Sequence, residues 1–578
     1  MRAVEERTFR THDGAELFYR AWPASGSATG RAIVLFHRGH EHSGRLQHIV
    51  DELQLPGYAM FAWDARGHGR SPGARGDSPS FAASVKDVDT FVRHVSREHG
   101  VAIEDIAVIA QSVGAVLVST WAHDYAPRVR CLVLAAPAFK VKLYVPFARA
   151  GLRLIQRLFG NFFVNSYVKA RFLTHDPERI RSYENDALIT RPISVRILLA
   201  LYDAAQRVVA DAQAIVLPVQ LLISGADWVV HVSPQHEFFE RLGSPVKEKH
   251  VLPGFYHDTL GEKERAAALA KVREFILRMF AAPARARAPL EFEYTRREME
   301  RLARPLSPLS WKNLAFALVR LSMRTLGRLS AGVRLGLATG FDSGSTLDYV
   351  YRNRAAGSLG LGSLIDRNYL DSIGWRGIRV RKQHLEQAIA AAARRLRAKN
   401  RPVRIADIAA GHGRYVLEAL ERLERRPESI LLRDYSDINV RAGSALIAEK
   451  GLNAVARFVK GDAFDEESVA GLEPRPSIAI VSGLYELFPD NAPVLASLRG
   501  LARAVGRGDY LIYTGQPWHP QLELIARTLT SHRGHQAWVM RRRTQAEMDE
   551  LARHAGFDKL EQWTDEWGIF TVSLAARV

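Results

Sequence analysis

Two separate stretches of the chain alternate short apolar runs with helix-like segments. Residues 31–280 contain runs such as RAIVLFH, IAVIAQS and VQLLISG, and a second series begins at residue 402 with VRIADIA. Such alternation predicts parallel sheets covered by helices on both faces. With 578 residues, the chain is too long for one hydrophobic core. We therefore expect an α/β fold in each of two domains, the second ending in an antiparallel pair, KLEQWTDEWGIF and TVSLAARV.

The composition changes between the two series. The segment that begins at residue 281, AAPARARAPLEFEYTRREMERLARPLSPLS, is rich in proline, alanine and arginine and predicts a linker. We expect a first domain over residues 1–280, with a mostly helical insert at about 140–210. A basic linker and an amphipathic helix should fill residues 281–340, and the second domain residues 341–578.

One serine in the first domain has the setting of a nucleophile. The stretch VIAQSVGAVLVS places Ser112 after an apolar strand and before a helix, close to the pattern G-x-S-x-G but with Ala110 as its first residue. A serine hydroxyl needs a base and a carboxylate that orients the base. Asp227 and His257 follow later strands in the expected order Ser, Asp, His. They predict a catalytic triad, although each alone could be a turn or loop residue.

Two loops make the hydrolase prediction specific. HRGHEHSGR (37–45) and WDARGHGRSPG (63–73) resemble the monoglyceride lipase and lysophospholipase group of α/β-hydrolases, of the serine aminopeptidase S33 type. The resemblance covers about residues 10–280 and implies an α/β-hydrolase fold, a cap over an acyl pocket at residues 140–210, and an acylglycerol or lysophospholipid substrate. It also makes the N–H of Gly39 an oxyanion donor beside that of Val113, which follows the nucleophile. The chain departs from the group at Arg38 and His40, where the group has glycines.

The net charge of +18 implies an anionic partner, either nucleic acid or lipid headgroups. Basic residues concentrate with aliphatic bulk in residues 140–172 and 301–341, which indicates peripheral binding to an anionic membrane surface. The alternative is that both helices pack their apolar sides on the protein. No nucleic acid is expected as a partner, because no nucleic-acid motif is present. The arginines that recur every four residues are Arg149, Arg153 and Arg157, and Arg320, Arg324 and Arg328.

The second domain opens with a ligand-binding loop. RIADIAAGHGRYVLEALERL (404–423) reads as a strand, a small-residue loop and a helix, but it lacks the dinucleotide fingerprint. It resembles the motif of class I S-adenosylmethionine (SAM) methyltransferases, with Ala409 in the first glycine position. The resemblance implies a Rossmann-like seven-stranded fold and SAM as cofactor; a different nucleotide is the alternative. The residues implied are Asp407 for the amino-acid end, Ala409, Gly411 and Gly413 in the loop, Asp434 for the ribose and Asp462 near the adenine.

Two loops after later strands of this domain carry candidate acceptor residues. SGLYELFPDN follows the fourth strand and TGQPWHPQLE the fifth, so Tyr485, Glu486 and His519 are expected at the cleft mouth. Each could orient an acceptor, act as a base, or be structural. The Asn-Pro-Pro-Tyr element of base-methylating enzymes is absent.

The whole arrangement resembles bacterial bifunctional hydrolase–methyltransferase fusions. We expect a serine ester hydrolase and a SAM-dependent methyltransferase acting in lipid metabolism. The alternatives are that only one domain is catalytic, or that the chain is a nucleic-acid modifying methyltransferase. The single cysteine, Cys131, excludes an internal disulfide and a cysteine-rich zinc site, and no metal is expected. With no apolar h-region at the N-terminus and no long apolar run, we expect a cytoplasmic protein, peripheral at the inner face of the membrane.

Overall fold

The computed structural model describes all residues except 144, 146, 284–287 and 359. Its chain divides into two compact units, Met1–Arg287 and Ala288–Val578. Residues 288–340, for which the sequence predicts a linker and an amphipathic helix, belong to the second unit. The part of that predicted linker at 284–287, and residues 144 and 146 of the predicted cap, lie outside the described residues.

The first unit is built on an eight-stranded sheet with a separate two-stranded sheet in its insert. The strands are β1 (Glu5–Arg10), β2 (Glu16–Trp22), β3 (Ala32–Phe36), β4 (Ala59–Trp63), β5 (Ile106–Gln111), β6 (Cys131–Ala135), β7 (Phe163–Asn165), β8 (Pro192–Ser194), β9 (Val219–Ser224) and β10 (Lys247–Leu252). The order in the large sheet is β1-β2-β4-β3-β5-β6-β9-β10. All neighbours are parallel except β1–β2 and β2–β4. The apolar runs that predicted this sheet begin at residue 31, so the hairpin β1–β2 was not among the predicted strands.

Helices cover both faces of this sheet, so that every residue of β3, β5, β6 and β9 is buried. This confirms the predicted α/β-hydrolase fold. The insert between β6 and β9 carries α4, β7, α5, β8 and α6, where the sequence predicts a cap. The helices of the first unit are α1 (Gln47–Glu52), α2 (Phe81–Glu98), α3 (Val113–Tyr125), α4 (Ala148–Phe159), α5 (Pro177–Glu184), α6 (Val195–Ala210), α7 (Ser233–Arg241) and α8 (Arg265–Ala281).

The second unit is built on a seven-stranded sheet in the order β13-β12-β11-β14-β15-β17-β16. Strands β11 to β15 are parallel, and the C-terminal hairpin β16–β17 joins antiparallel beside β15. The predicted Rossmann-like fold and its antiparallel end are confirmed. The strands are β11 (Arg404–Asp407), β12 (Ser429–Asp434), β13 (Ala456–Lys460), β14 (Ile478–Val481), β15 (Tyr510–Gly515), β16 (Phe557–Thr564) and β17 (Thr571–Arg577).

The helices of the second unit either precede this sheet in the chain or connect its strands. The amphipathic helix predicted over 307–340 is two helices, α10 and α11, separated near Gly327. A side chain at Gly327 would lie 3.2 Å from Val333 Cγ1 and 3.3 Å from the Ser322 carbonyl oxygen, so the chain turns tightly there. The helices are α9 (Glu293–Ala303), α10 (Trp311–Arg324), α11 (Ala331–Thr339), α12 (Gly344–Arg352), α13 (Leu361–Leu370), α14 (Ile373–Arg397), α15 (Arg414–Ala419), α16 (Asp437–Glu449), α17 (Glu466–Ala470), α18 (Asn491–Ala504), α19 (Leu522–Thr528) and α20 (Gln545–His554).

Candidate active sites

Ser112 lies on the sharp turn between β5 and α3. Its backbone has φ 52° and ψ −115°, a strained conformation that aims the side chain out of the sheet. Gly114 permits the turn, because a Cβ there would lie 2.5 Å from the His37 carbonyl oxygen. Ala110 lies inside β5 and is fully buried, so its methyl group is accommodated in the core. The alanine in the motif is therefore compatible with the turn.

The structure brings Ser112, His257 and Asp227 together in one chain of hydrogen bonds. Ser112 Oγ lies 2.7 Å from His257 Nε2, and His257 Nδ1 lies 2.7 Å from Asp227 Oδ2. Asp227 Oδ1 accepts the backbone N–H groups of Val229 (2.7 Å) and Val230 (2.9 Å). Burial opposes ionisation of Asp227, but His257 and these two N–H groups hold its pKa below the usual value. A carboxylate is thus positioned to orient the imidazole.

The loop after β3 passes close to the start of α3. A Cβ on Gly39 would lie 3.1 Å from Val113 Cγ2, so the two predicted oxyanion donors belong to adjoining segments. The departure at Arg38 has a structural partner: Arg38 Nη2 lies 2.6 Å from Glu41 Oε1 and 3.5 Å from Asp258 Oδ2, and all three side chains are buried. His40 adopts a left-handed backbone, φ 68°.

His37 fixes the same loop with both ring nitrogens. Its Nε2 accepts the backbone N–H of Ala65 (3.0 Å), so Nδ1 carries the hydrogen and donates to the Arg38 carbonyl oxygen (2.6 Å). Both nitrogens are therefore occupied by backbone groups. His37 holds the loop in place and is not free to act as a base.

Ser112 and His257 open on a cavity of about 650 Å³. Gly39 and Val113 line it near the serine, and the insert supplies most of the remaining wall. That wall is largely apolar, as an acyl chain requires. Its side chains include Leu152 and Ile155 of α4 and Leu198 and Leu201 of α6.

In the second unit, the loop after β11 has the shape that a closely bound ligand needs. Gly411 and Gly413 have φ 58° and 75°, a region that favours glycine. A Cβ on Gly413 would lie 2.4 Å from Leu432 Cδ1. Ala409 and both glycines line a cavity of about 750 Å³.

Two of the predicted acidic residues border the same cavity. Asp434, the last residue of β12, accepts the Gly411 N–H at Oδ2 (3.0 Å) and the Ser436 N–H at Oδ1 (2.9 Å). Asp462, two residues after β13, accepts the Phe464 N–H at Oδ1 (2.9 Å). Neighbouring parallel strands end at one edge of the sheet, and this brings both carboxylates to the glycine loop.

Asp407 is placed differently from its predicted role at the ligand's amino-acid end. It is not among the described residues that line the cavity. Its Oδ1 accepts the Ala409 N–H (3.1 Å), and its other oxygen accepts the Tyr415 hydroxyl of α15. Burial raises the pKa of Asp407 to about 7, against these two hydrogen bonds. Because its side chain is directed under α15, Asp407 shapes the loop.

The second unit has a second cavity, of about 450 Å³. It adjoins the cavity beside the glycine loop and shares Arg381, Asp342 and Gly483 with it. Glu486 and His519, two of the three predicted acceptor residues, line this cavity. Tyr485 does not: its ring is buried in the core, and its hydroxyl donates to Ser497 Oγ (2.9 Å) of α18. The direction of Tyr485 depends on this partner, which its position after β14 does not reveal.

Sequence reasoning missed several residues of the second cavity. Its polar lining also includes Arg381 and Gln516, and its aromatic lining Trp375, Trp538 and Phe570. Arg381 and Trp375 come from α14, which precedes the ligand-binding loop. Their pattern in the sequence is that of an ordinary amphipathic helix, so no local signal identified them.

Comparison with family models and known proteins assigns the two halves of the chain to a hydrolase and a methyltransferase domain. A family model described as "Serine aminopeptidase, S33" matches residues 27–264, and one described as "Putative methyltransferase" matches residues 272–577. The monoacylglycerol lipase of Mycolicibacterium smegmatis is 26% identical over 274 residues, covering 47% of this chain and 96% of that protein. The crystal structure of Paleococcus ferrophilus monoacylglycerol lipase is 23% identical with a TM-score of 0.40, covering 48% of this chain and 99% of that one.

The chain therefore combines a hydrolase domain related to the monoglyceride lipases with a methyltransferase domain. The protein YnbC of Escherichia coli strain K12 is 57% identical over 580 residues, covering 99% of this chain and 98% of that protein. The chain belongs to the same family as YnbC, a family that joins the two domains in one polypeptide.

The described residues contain neither a candidate metal cluster nor a candidate membrane-spanning helix. Within them, no group of three or more histidine, cysteine, aspartate or glutamate side chains could hold a metal ion. No helix in the described part of the chain is both long enough and apolar enough to cross a bilayer.

Proposed function

We propose that the first unit is a serine ester hydrolase acting on monoacylglycerols or lysophospholipids. The observation that carries this proposal is the hydrogen-bonded chain Ser112–His257–Asp227 opening on an apolar cavity. Ser112 Oγ attacks the ester carbonyl, and His257 Nε2 takes the serine proton and gives it to the leaving alcohol. Water, deprotonated by the same nitrogen, then attacks the acyl group on Ser112, releases the fatty acid and restores the serine hydroxyl. Asp227 keeps His257 oriented. The backbone N–H groups of Gly39 and Val113 stabilise the charge on the carbonyl oxygen.

Labelling with a fluorophosphonate tests this assignment. The wild-type chain should gain one covalent adduct by intact-mass measurement, and Ser112→Ala should gain none. Ser119→Ala is a matched control on the same helix, because the Ser119 hydroxyl is buried and donates to the Ala115 carbonyl oxygen (2.7 Å). It should label like the wild type. Equal labelling of Ser112→Ala would contradict the proposal.

The second unit, in the same proposal, is a SAM-dependent methyltransferase. Asp434 would accept the ribose hydroxyls and Asp462 would contact the adenine, and this is supported by the cavity beside the glycine loop, which both carboxylates border. Each carboxylate oxygen can accept more than one hydrogen bond, so the backbone contacts of Asp434 leave capacity for a ligand. Among the described residues, buried Ser482 Oγ on the cavity wall has no partner. SAM, when bound, supplies a methyl group for transfer.

Calorimetric titration with SAM tests the cofactor site. We expect Asp434→Asn to weaken SAM binding at least about tenfold, because it removes charge-assisted hydrogen bonds. Asp437→Asn, at the exposed start of α16, is the control and should bind like the wild type. Asp437 pairs with Lys460 at 2.9 Å and is not among the described cavity residues. Unchanged affinity in Asp434→Asn would contradict the site.

Each unit also presents an apolar helix face that supports action at a lipid surface. None of the described residues 148–159 of α4 is buried, and Leu158 and Phe159 are 66% and 80% exposed. On α10, Trp311, Leu314 and Leu318 are exposed in the same way. Exposed apolar side chains on amphipathic helices fit peripheral membrane contact. The predicted arginine stripe is partly used within the protein, because Arg149 and Arg153 both pair with Asp203 of α6.

A further inference from the structure

The second cavity of the methyltransferase unit has features that restrict the chemistry of the methyl acceptor. Most of its wall is apolar, with the rings of Trp375, Trp538 and Phe570 among helices α10, α13, α14 and α19. Two of its charged side chains, Arg381 and Asp342, also line the cofactor cavity and so mark the end where the two cavities adjoin. A ligand that fills it must therefore be largely apolar, with a polar group at that end.

Two of the charged side chains that line the cavity pair with each other, and the third, Asp342, already accepts the Ser531 hydroxyl (2.6 Å) and the His532 N–H (2.6 Å). Buried Arg381 places Nη1 3.5 Å from Glu486 Oε1. A carboxylate ligand at this position would meet Glu486, and an ammonium ligand would meet Arg381. Either would also lose its hydration in an apolar surrounding, which is costly for a charge without a partner of its own. The pair of Arg381 and Glu486 therefore favours a neutral polar group.

The hydrogen-bonding groups considered for the ligand are two donors and one acceptor. His519 Nδ1 accepts the backbone N–H of Gln521 (3.0 Å), and burial lowers the pKa of His519 to about 4. The ring is therefore neutral at pH 7 and carries its hydrogen on Nε2, so it offers a donor. Buried Gln516 Nε2 is a second donor, with no partner within the described part of the chain. Glu486 offers the acceptor.

A hydroxyl is the neutral group that donates one hydrogen bond and accepts others. We propose that this cavity binds an apolar alcohol or phenol, whose hydroxyl donates to Glu486 and accepts from His519 Nε2 and Gln516 Nε2. The inference rests on the proposed methyltransferase function and specifies it as O-methylation. Glu486 receives the hydroxyl proton as the new oxygen–methyl bond forms and the methyl–sulfur bond breaks.

Three probes on the same apolar body test the charge preference: 4-pentylphenol, 4-pentylbenzoate and 4-pentylbenzylammonium. Binding to the full chain is measured by equilibrium dialysis without SAM at pH 7. The phenol should bind at least about tenfold more tightly than either ion. Equal binding of the three, or tighter binding of the benzoate or the ammonium ion, would overturn the inference.

Variants locate the binding and assign the polar contacts. Ile378→Trp should fill the cavity and abolish phenol binding, whereas Leu198→Trp, in the hydrolase cavity, should leave it unchanged. Unchanged phenol binding in Ile378→Trp together with lost binding in Leu198→Trp would overturn the inference. His519→Phe and Gln516→Leu should each weaken phenol binding about tenfold.

Methyl transfer is read separately, as the O-methyl ether by mass spectrometry. Glu486→Gln should still bind the phenol, since an amide oxygen also accepts a hydrogen bond, but should lose the ether product. A chain that binds SAM but not the phenol would overturn this inference and leave the methyltransferase intact. A chain that binds the phenol but not SAM would refute the cofactor assignment and leave the ligand class standing.

Discussion

Asp227 determines which nitrogen of His257 can act as the base. Its Oδ2 lies 2.7 Å from His257 Nδ1 and holds the hydrogen there, which leaves Nε2 as the acceptor facing Ser112. Asp227→Asn should lower kcat for ester hydrolysis by about 10³ to 10⁴, because an amide favours the wrong tautomer. Steady-state hydrolysis of a p-nitrophenyl ester measures this, with circular dichroism to confirm folding. A loss of less than tenfold would contradict the orienting role.

Asp407 predicts a pH effect on stability. Burial raises its pKa from 3.8 to about 7, so the folded chain holds this proton more tightly than the unfolded chain. The stability that this proton contributes to the fold is fully present below the pKa of Asp407 in the unfolded chain, and it is lost as the pH rises through about 7. Asp407→Asn cannot ionise, so its Tm relative to the wild type should rise between pH 5 and pH 8. Calorimetric scans at both values test this, and a constant difference would contradict it.

Asp407→Asn also tests whether Asp407 shapes the glycine loop or contacts the ligand. Asp407 is not among the described cavity residues, and an asparagine oxygen can still accept the Ala409 N–H. We therefore expect Asp407→Asn to bind SAM nearly as well as the wild type, in contrast to Asp434→Asn. Calorimetric titration measures both. Equal losses in the two variants would show that Asp407 does contact the ligand.

At the scale of the element, helix α4 has one face toward the hydrolase cavity and another that is exposed. Leu152 lines the hydrolase cavity, whereas Phe159 is exposed and is not among the described cavity residues. Phe159→Glu should reduce flotation with liposomes but leave hydrolysis of a short soluble ester unchanged. Leu152→Glu should impair that hydrolysis, because it places a charge in the acyl cavity. Unchanged flotation of Phe159→Glu would remove this face from membrane contact.

The strands of both sheets were predictable where they are buried on both sides. The run IAVIAQ is apolar up to its last residue, and β5 is buried at every residue. The hairpin β1–β2 was missed because β1, EERTFR, is exposed at five of its six residues and has the composition of a surface segment. Ser112, Asp434 and Asp462 could be found because each lies at or just after the end of a strand, and the ends of parallel strands meet at one edge of the sheet.

Side-chain direction was less predictable than position. Asp407 and Asp434 both end a strand, yet one is directed under α15 and the other borders the cavity. Tyr485 and Glu486 are neighbours, but Ser497 of α18 draws the tyrosine into the core. The second cavity is also closed by helices that precede the motif, so its lining depends on tertiary packing rather than on any local pattern.

At the scale of the whole molecule, each candidate site is complete within one compact unit. Ser112, Asp227 and His257 belong to the first unit, and Asp434 and Glu486 to the second. Ser112→Ala should therefore abolish ester hydrolysis and leave SAM affinity unchanged, and Asp434→Asn should do the reverse. Parallel assays on the two full-length variants test this independence. Loss of both activities in either variant would show that the sites are coupled.

We propose that Ser112 makes this chain a lipid ester hydrolase. The most direct test is to incubate the wild type and Ser112→Ala with monoacylglycerols and lysophospholipids, and to measure released fatty acid by mass spectrometry. The account predicts release by the wild type from at least one of these ester classes, and none above background by Ser112→Ala. No release by the wild type, or equal release by both, would contradict it.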